Sequence, residues 1–263
     1  MIGRSNEYER MFRVERVLWW YRALHDRVLR AMGRHIGGKN LRVLDAGCGT
    51  GGLLSRLRDA GHLDVRGFDA SPDAVAFARQ RGLDVDQHDL CDVATFRPGE
   101  QYDTIVCNDV LLYLTDEEIR QTLKSFRERL RPGGLLITNN CALAIFFGAH
   151  DLSVGGSRRF TRTELLAMGA AAGLRCQQAT YWSFVLSPLI LAVRTWQRFQ
   201  LRRGWLKPEA VVSDVDLPPA LFNRLFYWIN RREAEWLTAA PFGSSVFLIF
   251  TPDSPAFNER TNA

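Results

Sequence analysis

The chain lacks any Cys-x-x-Cys pair, and its five cysteines are an odd number scattered over 263 residues. That argues against a disulfide framework and against a zinc ribbon. No uninterrupted apolar stretch reaches the roughly 20 residues that span a bilayer. Arg4, Glu7, Glu9 and Arg10 stand where a secretory leader would carry its apolar core. A secretory signal is therefore not expected, and a reducing cytoplasmic location is. The net charge of +5 is mild and the arginines are dispersed. A nucleic-acid binder wants a concentrated basic module or stacking aromatics on a sheet, and neither is seen. What is present is ordinary globular composition, 46% apolar and 24% charged. The length suits one α/β domain with an elaborated lid.

The most informative stretch runs Val43-Leu44-Asp45-Ala46-Gly47-Cys48-Gly49-Thr50-Gly51-Gly52. A short apolar strand ends in an acidic residue, then a glycine loop opens into the helical run Leu53 to Leu57. Glycines let the backbone turn sharply and admit a ligand without a Cβ in the way. The helix start supplies free N–H groups, and Asp45 can meet an ammonium group. Gly47, Gly49 and Gly52 also fit Gly-x-Gly-x-x-Gly, so a nicotinamide-dinucleotide site is the competing reading.

Downstream stations separate the two. A second strand, Leu63 to Phe68, ends in Asp69-Ala70, and Ser71-Pro72 opens a helix as N-cap and first helical residue. Asp69 suits the two hydroxyls of a ribose. A third strand leads to Asp89-Leu90, where the carboxylate can accept from an adenine amino group. A fourth, Tyr102 to Cys107, ends in Asn108-Asp109. Pro132-Gly133-Gly134 then precedes a fifth strand. From residue 40 to 140 this ordered series resembles the class I S-adenosylmethionine (SAM)-dependent methyltransferases; dehydrogenases share only the first two stations. The resemblance implies SAM as cofactor, held by Asp45, Gly47, Gly49, Gly51, Asp69, Ala70, Asp89, Leu90 and Asn108. It also implies a Rossmann-like, seven-stranded, mostly parallel sheet with helices on both faces. The last strand, Ser245 to Thr251, would insert antiparallel between strands five and six.

Two regions surround that core of residues 39–181 and 244–252. Residues 1–38 read as a helical lid, with one long amphipathic helix over residues 7–36 carrying Met11, Val14, Leu18, Tyr21, Val28 and Met32 on one face. Its Trp19-Trp20-Tyr21-Arg22 cluster either packs on the sheet or roofs the site, with Trp20 on the acceptor and Arg22 on an anionic group. Residues 182–243 form a helical insertion. One helix sets Leu189, Ala192, Val193, Trp196 and Phe199 against Arg194, Arg198, Arg202 and Arg203. After Pro208 and Pro218-Pro219, a second holds Leu221, Leu225, Trp228, Ile229 and Trp236. Insertions of this length are usually functional, so a lid over a lipophilic acceptor is the leading reading; a homodimer contact and a peripheral membrane contact are the alternatives. Residues 253–263 read as a flexible tail.

Methyl transfer to a hydroxyl needs a base. His150 is the expected one, with Asp151 orienting it, and Tyr113 and Arg159 are expected at the substrate. Gly148-Ala149-His150-Asp151 with Arg159-Phe160-Thr161-x-x-Glu164-Leu165 is similar to the corresponding block of quinone-biosynthesis O-methyltransferases. Those carry a Glu-His pair after the fourth strand, whereas this chain has Leu112-Tyr113, and no metal is expected. The expected activity is O-methylation of a small, largely apolar molecule. Carbon or nitrogen transfer to an isoprenoid or aromatic metabolite is the alternative within the class. A catalytically silent SAM-binding partner subunit is the alternative outside it.

Overall fold

A computed structural model describes residues 5–38, 40–206 and 213–253. The expected tail therefore lies almost wholly outside the described residues, as does Pro208. Seven strands form one sheet in the order β3-β2-β1-β4-β5-β7-β6: β1 (Val43–Ala46), β2 (Val65–Asp69), β3 (Val85–Gln87), β4 (Tyr102–Asn108), β5 (Leu130–Cys141), β6 (Leu174–Trp182) and β7 (Ser245–Pro252). β1 to β5 pair in parallel. β7 runs antiparallel between β5 and β6, with Thr138 opposite Leu248 and Ala179 opposite the same residue. The apolar composition of β7 fits that central place, since residues 245–250 are all buried.

The helices are α1 (Ser5–Val14), α2 (Trp19–His35), α3 (Gly52–Asp59), α4 (Pro72–Gln80), α5 (Asp116–Arg129), α6 (Ala149–Val154), α7 (Arg162–Ala171), α8 (Ser187–Arg202) and α9 (Ala220–Trp236). Local signals place three of their starts. Ser71 accepts from the Ala74 N–H at 3.4 Å, and Thr115 and Thr161 each form a capping box with Glu118 and Glu164, satisfying otherwise orphaned N–H groups. Two apolar clusters fill the two faces of the sheet. One gathers Phe68, Ile105, Phe126 and Phe160, the other Leu24, Val28, Leu54, Val106 and Ile249.

Two expectations need correction. The single N-terminal helix is broken at residues 15–18, although no proline or glycine interrupts it. Glu15 is the cause: it turns inward, only 1% exposed, onto Thr50 and Arg81. That anchor folds α1 across the glycine loop while α2 lies on the sheet. The insertion helices, second, are turned the opposite way from their apolar faces. α8 buries Arg194, and α9 buries Asn230 and Glu233. Glu233 pairs with buried Arg27 of α2 at 3.3 Å and accepts the Val185 N–H at 3.0 Å. These paired polar groups hold the insertion, and the apolar side chains are left outside.

Candidate active site

The carboxyl ends of β1, β2 and β4 converge where strand order reverses between β1 and β4, the usual ligand crevice of an open α/β sheet. The glycine loop crosses this crevice. Gly47 (φ +77°) and Gly49 (φ +52°) take left-handed backbone; a Cβ on the first would lie 2.5 Å from Val110, and on the second 2.7 Å from Met11. Gly51 caps α3. Asp69 accepts the Gly49 N–H and the Ser71 N–H, each at 2.9 Å, so one carboxylate ties the loop to the end of β2. Burial raises its pKa, and the Tyr8 hydroxyl hydrogen-bonds it as well. Ala70 offers its carbonyl to Gln87, while exposed Asp89 caps the turn that holds buried Leu90 and accepts the Cys91 N–H at 2.8 Å.

Asp45 is 4% exposed, and no hydrogen bond or ion pair joins its carboxyl to any described residue. Burial, and then the like charges of Glu15 and Asp69, push its pKa up to about 8. Burial likewise lifts Glu15 to about 7 against the opposing pull of Arg81. Asn108 leaves a buried Oδ1 without a partner among the described residues. A buried carboxyl without a counter-charge and an orphaned amide oxygen both cost free energy. A cationic, hydrogen-bonding ligand satisfies both, so these residues fit an amino-acid-bearing sulfonium nucleoside.

α1 forms the roof. Tyr8 and Met11 lie over Asp69 and Gly49, Phe12 stacks on Phe77 with ring centroids 4.9 Å apart, and Arg81 donates to the Phe12 carbonyl at 2.8 Å. Sequence periodicity had no means of singling out Tyr8 or Glu15. Trp20 does not roof the crevice: it stacks on Trp182, centroids 5.7 Å apart. Arg22 lies 4.0 Å over the Tyr227 ring and lines a cavity of about 230 Å³ shared with Arg16, Arg56 and Gly52. Tyr113 stands at the edge, 39% exposed, donating to the Val154 carbonyl.

The pairing expected between His150 and Asp151 is not formed. Asp151 binds Arg159 through both oxygens at 2.9 and 3.1 Å and accepts the Gly148 N–H. Arg159 also donates to the carbonyls of Ala142 and Ser244. Both side chains are at most 4% exposed, so this pair staples the loop after β5, and Arg159 has no donor face turned to a ligand. Breaking such a pair strands a buried charge. Asp151→Ala should therefore lower stability by about 3–5 kcal/mol, read as a fall in urea midpoint at unchanged slope. A normal midpoint with lost activity would return Asp151 to the chemistry.

His150 Nδ1 accepts the Asp214 N–H at 3.3 Å. Burial lowers its pKa, so it is neutral, and with Nδ1 accepting, the remaining proton sits on Nε2. That tautomer donates rather than abstracts. Asp109 is the acid that sequence reading passed over. It has φ +53°, rare for a non-glycine residue. Its N–H donates to the Asn139 carbonyl at 2.7 Å, and its carboxylate accepts from Asn139 Nδ2 at 2.7 Å. Asn139 Oδ1 in turn accepts from Trp182 Nε1 at 2.7 Å. Burial raises Asp109 to about 6 despite the Asn139 hydrogen bond. Its charge also adds to the rise of the Tyr21 and Tyr113 hydroxyls, which burial raises most. An acid with left-handed backbone and a raised pKa at a strand end is a candidate for a positioned base. Among the described residues no group of three His, Cys, Asp or Glu side chains could hold a metal ion.

The fold is that of the Rossmann-like methyltransferases. A SAM-dependent methyltransferase from Clostridium acetobutylicum superposes with a TM-score of 0.55 over 89% of this chain and 92% of that one, at 12% identity. A family described as "methyltransferase domain" matches residues 44–136. Ubiquinone biosynthesis O-methyltransferase of Ruegeria pomeroyi is 35% identical over 178 residues, 60% of this chain and 66% of that protein. The Cereibacter sphaeroides protein of the same name is 36% identical over 103 residues, and the match spans only 40% of its length. Residues 44–136 belong to the methyltransferase-domain family, and the fold and motif series around them are those of the class I SAM-dependent methyltransferases.

Proposed function

We propose that the protein transfers the methyl group of SAM to oxygen on a small, largely apolar acceptor, with Asp109 as base. The observation that carries the reading is the buried Asp45 carboxyl, which has no counter-charge among the described residues, beside Asp69 and the glycine loop. The cofactor, when bound, supplies a methyl group on an already activated sulfonium leaving group. Asp45 would meet its ammonium, Asp69 the ribose hydroxyls and Asp89 the adenine amino group. Arg22, which shares a cavity with Gly52 and has no carboxylate partner among the described residues, would take the carboxylate. The protein's remaining work is alignment and exclusion of water, for which α1 is the cover. Asp109 would accept the acceptor's proton as the oxygen attacks. The curated relatives named as O-methyltransferases support that choice of atom.

Calorimetry tests the cofactor half. SAM or its demethylated product should bind in the micromolar range, about −8 kcal/mol at 1 μM, and NAD should not bind. Asp69→Ala should weaken binding by about 1.5–3 kcal/mol per lost charge-assisted bond. NAD binding without SAM binding would sink the proposal. A protein that binds SAM but labels no metabolite in an extract incubated with labelled SAM would be a silent partner subunit instead.

A further inference from the structure

Helix α8 presents to solvent the side that an isolated globular protein would bury. Leu189 is 51% exposed, Val193 45%, Trp196 55% and Phe199 37%. Steps of four, three and three residues set them on one stripe. The stripe continues with Val185 before the helix, 54% exposed, and Trp205 after it, 66% exposed. Trp196 stacks on Phe199 with centroids 5.6 Å apart, and Phe199 meets Trp205 edge-on at 5.5 Å. The rings form one outward platform instead of separate exposed residues. The helix is held from its opposite side, where Arg194 pairs with Asp214 and donates to Gln197 at 2.9 Å.

Charge decides what the platform meets. Residues 182–206 contain no Asp or Glu and four arginines. Arg194 is committed inward, whereas Arg202 and Arg203 are exposed beside the aromatic cluster, the latter with its guanidinium 5.2 Å from the Phe199 ring centre. A two-fold contact between two copies would face this acid-free, cationic stripe with itself, burying like charges together. An anionic bilayer offers the complement: apolar depth for the rings and negative headgroups for the guanidinia.

We propose that α8 is a docking face for an anionic lipid bilayer, lying in the interface with Leu189, Val193, Trp196 and Phe199 inserted and Arg202 and Arg203 on the headgroups. The inference is independent of which acceptor is methylated. Co-sedimentation of the full chain with vesicles tests it. The protein should pellet with phosphatidylcholine vesicles containing phosphatidylglycerol, far less with phosphatidylcholine alone, and less as salt rises. Arg202→Glu with Arg203→Glu should lower partitioning on the order of 20-fold or more. Val193→Glu with Trp196→Glu should abolish it, while SAM affinity and the melting temperature stay unchanged, because these side chains are exposed. Failure to pellet with either vesicle overturns the proposal, as does pelleting that both double variants leave intact. A solution dimer that Val193→Glu with Trp196→Glu dissolves, in a protein that ignores vesicles, would give the face to a second copy.

Discussion

Asp109→Asn is expected to lower kcat by about 10²–10⁴, the usual worth of a positioned general base, with little change in SAM affinity. Asparagine keeps the shape and the hydrogen-bonding reach to Asn139 but cannot take a proton. The wild-type rate should climb with pH through about 6, where Asp109 ionises, and the variant's residual rate should be flat there. His150→Ala is the matched control. Its imidazole is neutral and carries its proton on Nε2, so its loss should cost far less and leave the pH profile in place. A large kcat loss in His150→Ala with an unaltered Asp109→Asn would exchange the two roles. Were the acceptor a carbon or an amine already nucleophilic, both losses would be small.

SAM affinity should rise with pH, by close to tenfold per unit below about 8 if Asp45 alone is linked. The sign follows from burial. A carboxyl whose folded pKa lies above its ordinary value contributes stability while protonated, below the ordinary range. That contribution is lost as pH climbs through the raised value. The ligand-free protein should accordingly melt at lower temperature from about pH 5 to about pH 9. The cationic ligand supplies the missing charge, so its stabilising effect should grow over the same range. Asp45→Asn should flatten the affinity profile and leave weak, pH-independent binding. A wild-type affinity constant across this window would show that Asp45 does not meet the ammonium.

The sheet was readable because each of its signals is local. Apolar runs ending in an acid, a serine or threonine cap, and Pro-Gly-Gly before β5 each act within a few residues, and the antiparallel β7 came with the motif series. The break at residues 15–18 was unreadable because helical periodicity continues straight through it; only the distant Thr50 and Arg81 bend the chain. Amphipathicity in α8 and α9 showed that two faces exist without showing which one finds a partner. Arg27, far off in sequence, settles that for α9, and Asp214, in the connection between the two helices, settles it for α8. His150 attracted attention as a histidine in the expected place, but its tautomer depends on a backbone N–H 64 residues away. Asp109 carried one usable sign, an acid directly after a strand end, where a tight turn puts unusual backbone on a non-glycine residue.

The roof made by α1 has a kinetic consequence. Tyr8 and Met11 stand on Asp69 and Gly49, the ground a cofactor would cover, and Glu15 is latched to Arg81 and Thr50 beneath them. If the cofactor lies there, exchange of spent for fresh cofactor would need this helix to lift and resettle in every cycle. Motions of that kind run on microsecond-to-millisecond timescales and often set turnover. Loosening the latch should shorten the residence time of the demethylated product, and the steady-state rate would then report the lifting of α1 as much as the bond that is made.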